Sequence, residues 1–216
     1  MKEKRKIFML MALILGALAA LLTCKKSYIG RPKKQGFYER VIKHPQDVCL
    51  ALVAILILSP LMGVIALLIR CKLGSPVLFA QEIPGLYGIV FKLYKFRTMT
   101  EVTDENGNLL QEELHVTKLG QFLRETSLDE MPELFNILKG DMSLVGPRPL
   151  PVQYLPHYNE KQVRRHLVRP GVTGYAQVYG RKEDTWEERL KKDVYYVEHI
   201  SFLLDWRILI KHQNRK

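Results

Sequence analysis

Asp129 and Glu130 stand side by side in Arg124-Glu-Thr-Ser-Leu-Asp-Glu-Met-Pro-Glu-Leu-Phe-Asn136. Adjacent carboxylates can supply a nucleophile, a proton carrier or a metal ligand. Fixed cations follow in two loop-like runs rich in Gly and Pro, Lys139-Gly-Asp-Met-Ser-Leu-Val-Gly-Pro-Arg-Pro149 and Arg169-Pro-Gly-Val-Thr-Gly-Tyr-Ala-Gln-Val-Tyr-Gly-Arg181. In Val145-Gly-Pro-Arg-Pro149 two prolines fix the backbone around Arg148. Less entropy is then lost when its guanidinium grips a diphosphate with two bonds. Strand alternation sets Lys95 and Arg97 on one face, a spacing suited to a phosphate or to a solvated strand edge. Acid beside cation in this way describes phosphoryl chemistry. Ser127-Leu-Asp-Glu130 also matches a capping box, in which Ser127 and Glu130 satisfy free amides at a helix start. The two roles are compatible, because a helix start also favours an ionised carboxylate or a bound phosphate.

The elements that must hold these residues begin with two apolar segments. Ile7 to Thr23, between Lys4-Arg5-Lys6 and Lys25-Lys26, just reaches across a ~30 Å hydrocarbon core at ~1.5 Å per residue. It reads as a marginal spanning helix, with a cleaved signal peptide as its rival. Val48 to Ile69 is more apolar and carries Ser59-Pro60 near its middle. Proline removes a backbone donor, so the helix must kink or break there, and the Ser59 hydroxyl can bond the freed carbonyl. Lys43 and His44 before it and Arg70 and Lys72 after it make both ends basic, which favours a path that returns to one face. Val77 to Ala80 and Ile89 to Thr98, separated by Pro84-Gly-Leu-Tyr-Gly88, read as a β-hairpin. Leu114 to Leu138 turns helical. Trp186, Leu190, Val194 and Val197 then approximate one helix face, and Phe202 to Ile210 reads either as a helix lying in the headgroup layer or as a core-packing one.

The fold expected is α+β and helix-rich. It is membrane-associated, with a re-entrant broken helix, a small β-hairpin and interfacial amphipathic helices. Residues 1–46 form an N-terminal apolar segment and basic linker, 47–73 the re-entrant helix-break-helix, and 74–216 a catalytic domain. The net charge of +11 on 216 residues draws the protein to polyanions. A soluble nucleic-acid binder has no use for two strongly apolar segments, so membrane lipid and phosphorylated ligands are the expected partners, not nucleic acid. Cys24, Cys49 and Cys71 show neither disulfide nor zinc spacing, and no His-x-x-x-His, Walker A or Gly-x-Gly-x-x-Gly pattern occurs.

From about Asp47 to Asp205 the chain resembles the bacterial sugar transferase family, the small monotopic phosphoglycosyl transferases. The resemblance is carried by Ser59-Pro60, Tyr94-Lys-Phe-Arg-Thr-Met99, Ser127-Leu-Asp-Glu130, Leu138 to Pro149, Arg169-Pro-Gly-Val-Thr-Gly174 and Asp193-Val-Tyr-Tyr196. It implies transfer of a sugar 1-phosphate from a UDP-sugar to a polyprenyl (undecaprenyl) phosphate, releasing UMP, as the initiating step of exopolysaccharide or glycoconjugate synthesis. By the same analogy Asp129 is the nucleophile of an aspartyl phosphosugar intermediate, and Glu130 positions metal or assists proton transfer. Mg²⁺ at Asp129 and Glu130 is the expected cofactor. Arg124 and Arg148 are expected on substrate phosphate, with Lys95 and Arg97 as further candidates. Gln177 and Arg181 are expected in the nucleotide or sugar pocket, and Ser59 and Pro60 as the membrane break. The resemblance further implies the bacterial inner membrane with the catalytic domain on its cytoplasmic face. A homodimer and later glycosyltransferases of the same pathway are the expected protein partners. Two departures bear on sugar choice: Ile83 where the family often has Arg, and Tyr179-Gly-Arg-Lys182 where it often has Asn-Gly-Arg-Asn. A phosphatase or phosphodiesterase acting on a lipid diphosphate, and a non-catalytic scaffold for glycan assembly, are the alternatives the residues leave open.

Overall fold

The computed structural model describes residues 36–99 and 117–213. The apolar run Ile7 to Thr23, the polar turn Thr103 to Asn108 and the start of the stretch from Leu114 lie outside these. A π-helical turn, Tyr38–Ile42, leads into α1, Lys43–Lys72. α1 is a run of 30 helical residues with Pro60 inside it, at the place where the helix-break-helix was expected. Pro60 has no N–H for the Leu56 carbonyl one turn back, and the Ser59 hydroxyl donates to that same carbonyl at 3.1 Å. The lost backbone bond is thereby replaced from the neighbouring residue, and the helix continues.

Two faces of α1 have different fates. Ala51, Met62, Ile65 and Ile69 are buried, whereas Leu52, Val53, Leu56, Ile57, Val64 and Leu67 are exposed. Only 17% of the most apolar window of Tyr38–Lys72 is buried, at a mean hydropathy of 2.9. A core helix of a soluble protein would be mostly covered, so this bare apolar face points weakly to a membrane.

The hairpin forms as β1, Leu78–Pro84, and β2, Val90–Phe96, antiparallel with Leu78 opposite Phe96 and Pro84 opposite Val90. Its inward residues Ile83, Phe91 and Leu93 pack with Ala51, Ile137 and Met142. Beyond it come α2, Lys118–Thr126, a 3₁₀ turn at Leu128–Glu130, and α3, Glu133–Leu138. Thr117 caps α2 by accepting from Gly120 N–H. At Gly120 an added Cβ would lie 1.9 Å from the Thr98 carbonyl oxygen, so only glycine lets α2 approach the end of the hairpin this closely. Met62, Ile65 and Ile69 of α1 pack there with Phe96, Leu123 and Met131.

A second strand pair was not legible in the sequence. β3, Ser143–Val145, runs parallel to β4, Gly171–Thr173. Between them lie two 3₁₀ segments, Val152–His157 and Gln162–Leu167. The chain ends in α4, Tyr175–Tyr179, α5, Trp186–Glu198, and α6, Phe202–Gln213. α5 buries Leu190 and Val197 and carries a full capping box from Thr185 and Glu188. α6 buries Asp205 and Ile208 and exposes Phe202, Leu203, Trp206 and Ile210.

Candidate active site

The acidic pair owes its position to a sharp change of direction. Ser127 closes α2 in the left-handed conformation, φ 57°, and the next residues form the single turn that carries Asp129 and Glu130. The capping box read at Ser127 and Glu130 does not form. Ser127 ends α2 and begins the turn in the left-handed conformation, and its side chain makes no cap bond there. Glu130 is thus released to the site, where its Oε1 accepts from Lys95 Nζ at 2.9 Å. Lys95 also lies 3.1 Å from Glu133 Oε1, and Arg148 Nη2 lies 3.7 Å from Glu130 Oε1. One lysine therefore serves two carboxylates, with a guanidinium at the edge.

Asn136 sets this spacing. It is fully buried, donates to the Lys92 carbonyl at 2.7 Å and accepts from Tyr94 N–H at 3.0 Å. A side-chain amide that mimics a neighbouring strand ties α3 to the free edge of β2, and Lys95 is held against Glu130 and Glu133. Glu133 and Asn136 were missed as site residues. Their signal was present, since both follow Asp129-Glu130 at helical spacing within one motif.

Arg148 is held by its backbone. Gly146 N–H donates to the Thr173 carbonyl, Gly171 N–H to the Pro147 carbonyl, and Arg165 Nη2 to the Arg148 carbonyl at 2.5 Å. A Cβ on Gly146 would lie 2.4 Å from the Arg169 carbonyl oxygen, so the two Gly/Pro loops touch backbone to backbone. The side chain of Arg148 is left half exposed, free to meet a ligand.

A cavity of about 220 Å³ opens on this cluster, lined by Lys95, Glu130, Glu133, Arg148, Gln177 and others. A second, of about 550 Å³, shares Arg148, Leu150 and Gln177 with it and extends to Arg181 and Trp186. Asp129 lines neither, but its neighbour Glu130 lines the first. Burial and the adjacent Glu130 raise the Asp129 carboxyl above its ordinary range, while Lys95 and Arg124 pull it down. Arg124 itself donates to Thr98 Oγ1 at 3.0 Å. Burial pushes Glu133 up to about 7 against the pull of Lys95, which is already engaged by Glu130.

Of the expected residues, Lys95, Glu130, Arg148 and Gln177 meet around the smaller cavity and Arg181 joins the larger one, whereas Arg97 lines neither. Arg97 donates to the carbonyls of Met99 and Ser75. Its N–H continues the hairpin ladder to the Val77 carbonyl, but its guanidinium is taken up by these two carbonyls and braces the chain. Among the described residues no group of three or more His, Cys, Asp or Glu side chains could hold a metal alone. Asp129 and Glu130 nevertheless offer hard oxygens, and their mutual repulsion is what a divalent cation relieves. Mg²⁺ typically takes one or two carboxylates together with substrate phosphates, so this pair fits it in that mode.

The family model described as bacterial sugar transferase matches residues 38–215. The chain belongs to the bacterial sugar transferase family. An uncharacterized sugar transferase, EpsL, of Bacillus subtilis (strain 168) is 57% identical over 141 residues, covering 65% of this chain and 70% of the relative. The UDP-glucose:undecaprenyl-phosphate glucose-1-phosphate transferase of Xanthomonas campestris pv. campestris is 40% identical over 185 residues, 80% of this chain and 38% of the relative. The exopolysaccharide production protein PSS of Rhizobium leguminosarum bv. phaseoli is 36% identical over 187 residues, 78% of this chain and 92% of the relative. This sugar transferase thus spans well under half the length of the Xanthomonas relative and nearly the whole of PSS.

Proposed function

We propose that the chain transfers a sugar 1-phosphate from a UDP-sugar to a polyprenyl phosphate at a bacterial membrane, with UMP as the released product. The observation that carries this reading is a cavity in which the cations Lys95 and Arg148 meet Glu130, the chain neighbour of Asp129. The name of the Xanthomonas relative supports the substrate classes.

In the first step an Asp129 oxygen attacks the sugar-bearing phosphorus of the UDP-sugar. The bond from that phosphorus to the bridging oxygen breaks, UMP departs with the electron pair, and an aspartyl phosphosugar remains. In the second step a phosphate oxygen of the polyprenyl phosphate attacks the same phosphorus, and the Asp129 carboxylate leaves. Dividing the transfer at an enzyme carboxylate replaces one difficult displacement by two easier ones. Lys95 and Arg148 stabilise charge on the transferring phosphoryl oxygens. Glu130 holds Lys95 at that spot, and Lys95, with a smaller pull from Arg124, opposes the burial that raises the Asp129 carboxyl. Asp129 and Glu130 are the residues that would hold Mg²⁺, whose chemistry when bound is to neutralise the diphosphate.

The test is UMP release by the purified protein with Mg²⁺, a panel of UDP-sugars, and polyprenyl phosphate present or absent. Release should need lipid and vanish in Asp129→Asn. Incubation with radiolabelled UDP-sugar and no lipid should leave label covalently on the parent protein only. A labelled or fully active Asp129→Asn protein would end the nucleophile assignment, and release of sugar phosphate to water would favour a hydrolase.

A further inference from the structure

The larger cavity carries a feature that the transfer chemistry does not use. Asp193 of α5 is 4% exposed and lines it. Its Oδ2 accepts from both Nε and Nη2 of Arg165, at 3.1 and 2.8 Å. Its Oδ1 is buried with no hydrogen-bond partner. A buried acceptor left in this state is costly, and such groups in folded proteins normally have a partner. As one half of a two-bond ion pair with Arg165 the carboxylate can only accept, so the missing partner must bring an N–H or O–H.

The rest of the lining narrows the ligand. Trp186 is 41% exposed, and its ring is tilted against that of Tyr154 at 5.0 Å between centroids. A second planar ring can lie against the indole, as bases do on aromatic side chains. Arg181, Lys182 and Arg189 add exposed cations. At the other end Arg148 and Gln177 belong to both cavities, so one ligand can reach from Trp186 to Lys95.

Resting on the transferase reading above, we propose that the larger cavity takes the nucleoside half of the nucleotide sugar. Trp186 flanks the base, and Asp193 Oδ1 accepts a hydrogen bond from the uracil imide or a ribose hydroxyl. The diphosphate then crosses at Arg148, and the sugar-bearing phosphorus reaches the smaller cavity beside Asp129. Asp193 is a binding residue in this scheme, with Arg165 positioning both it and the Arg148 carbonyl.

The chain has two tryptophans, so Trp206→Phe leaves Trp186 as the sole tryptophan to excite selectively at the red edge. Trp206 sits on the exposed apolar side of α6, away from both cavities. In that protein UMP should change Trp186 fluorescence saturably, and by calorimetry Trp186→Leu should weaken UMP binding about tenfold. N3-methyl-UMP or 2′-deoxy-UMP, each lacking one donor, should bind the parent about tenfold more weakly than UMP. That difference should disappear in Asp193→Asn, whose folding is checked by circular dichroism. If Asp193→Asn fails to fold, the analogue series on the parent and the Trp186→Leu titration still decide. UMP binding that leaves Trp186 silent and is unchanged in Trp186→Leu, alongside intact lipid-dependent UMP release, overturns this inference and spares the transferase reading. UMP binding at Trp186 without any turnover across the sugar panel supports the nucleoside site and overturns the transferase reading instead.

Discussion

Glu133 is the carboxyl in the catalytic cluster whose protonation folding alters most. Burial raises it from 4.5 to about 7, and Lys95 cannot hold it down because Glu130 shares the same ammonium. Between those two pH values the folded chain binds more protons at this position than the unfolded chain does. The stability that Glu133 contributes is therefore intact below about pH 4.5 and is lost as pH rises toward 7. Glu133→Gln removes the loss. Relative to the parent, its unfolding free energy should rise by about 1.4 kcal/mol for each pH step across that window, to a total of about 3 kcal/mol. Urea midpoints of both proteins at pH 4.5 and 8 measure this, and parallel curves would refute it. Lys95→Met acts on the same cluster from the other side. Two carboxylates lose their cation, and lipid-dependent UMP release at pH 7.5 should fall by on the order of 100-fold, as when a charge-stabilising donor is removed.

At the scale of elements, the geometry of the candidate site depends on how α3 is fastened to β2. Asn136→Ala leaves the Tyr94 N–H and the Lys92 carbonyl of an inner strand edge without partners and opens a small void. At about 1–3 kcal/mol for each of the two unsatisfied groups, a loss of roughly 2–6 kcal/mol is expected. Thermal unfolding checks the size, and kcat for UMP release should drop with it because Lys95 loses its register against Glu130 and Glu133. A variant with the parent's melting temperature and kcat would show that the amide is not the fastener. Asn136 also explains what could be read from sequence and what could not. The hairpin followed from alternation and from Pro84-Gly85, α5 from helical periodicity and α6 from the apolar run that begins at Phe202, because each signal is confined to neighbouring residues. Asp129, Glu130, Lys95 and Arg148 were legible as single motif positions for the same reason. Their joining was not, since it rests on contacts 35 to 44 residues apart in the chain, such as Lys95 with Glu130 and Asn136 with Lys92. The parallel β3 and β4 pair, three residues per strand, is too short to carry any period. The carbonyls of Met99 and Ser75 that engage Arg97 could not be read from strand alternation. Ser127 was misread because a side-chain pattern was followed where a left-handed backbone decides.

For the whole molecule, the packing of α1 constrains how this transferase can sit in a bilayer. The first half of the helix, at Ala51, packs with the hairpin and α3, and the second half, from Met62 to Ile69, packs with β2 and α2. Between Ala51 and Met62, Leu58 also touches the second cluster. The stretch free of the catalytic domain is therefore fewer than ten residues, about 15 Å at most at 1.5 Å per residue. A hydrocarbon core is about 30 Å thick, so a straight crossing would pull the polar catalytic domain into lipid. Entry into one leaflet avoids this cost, with the exposed face of Leu52, Leu56 and Ile57 in the hydrocarbon and both basic ends at the headgroups. α6 is fixed to the start of α1 by Asp205, which accepts from Lys43 Nζ at 2.6 Å and from the Tyr38 and Tyr196 hydroxyls at 2.8 and 2.7 Å. Its exposed Phe202, Leu203 and Trp206 thereby share a surface with the entry point of α1, and Phe202 packs edge-on against Tyr38. The expected arrangement has both ends of α1 on one side of the membrane. Single cysteines introduced by Glu39→Cys and Lys72→Cys, with the native cysteines replaced by serine, should both react with an impermeant maleimide from the same side of sealed vesicles. Labelling from opposite sides would mean that α1 crosses, and that the packing of the catalytic domain along it gives way in the bilayer.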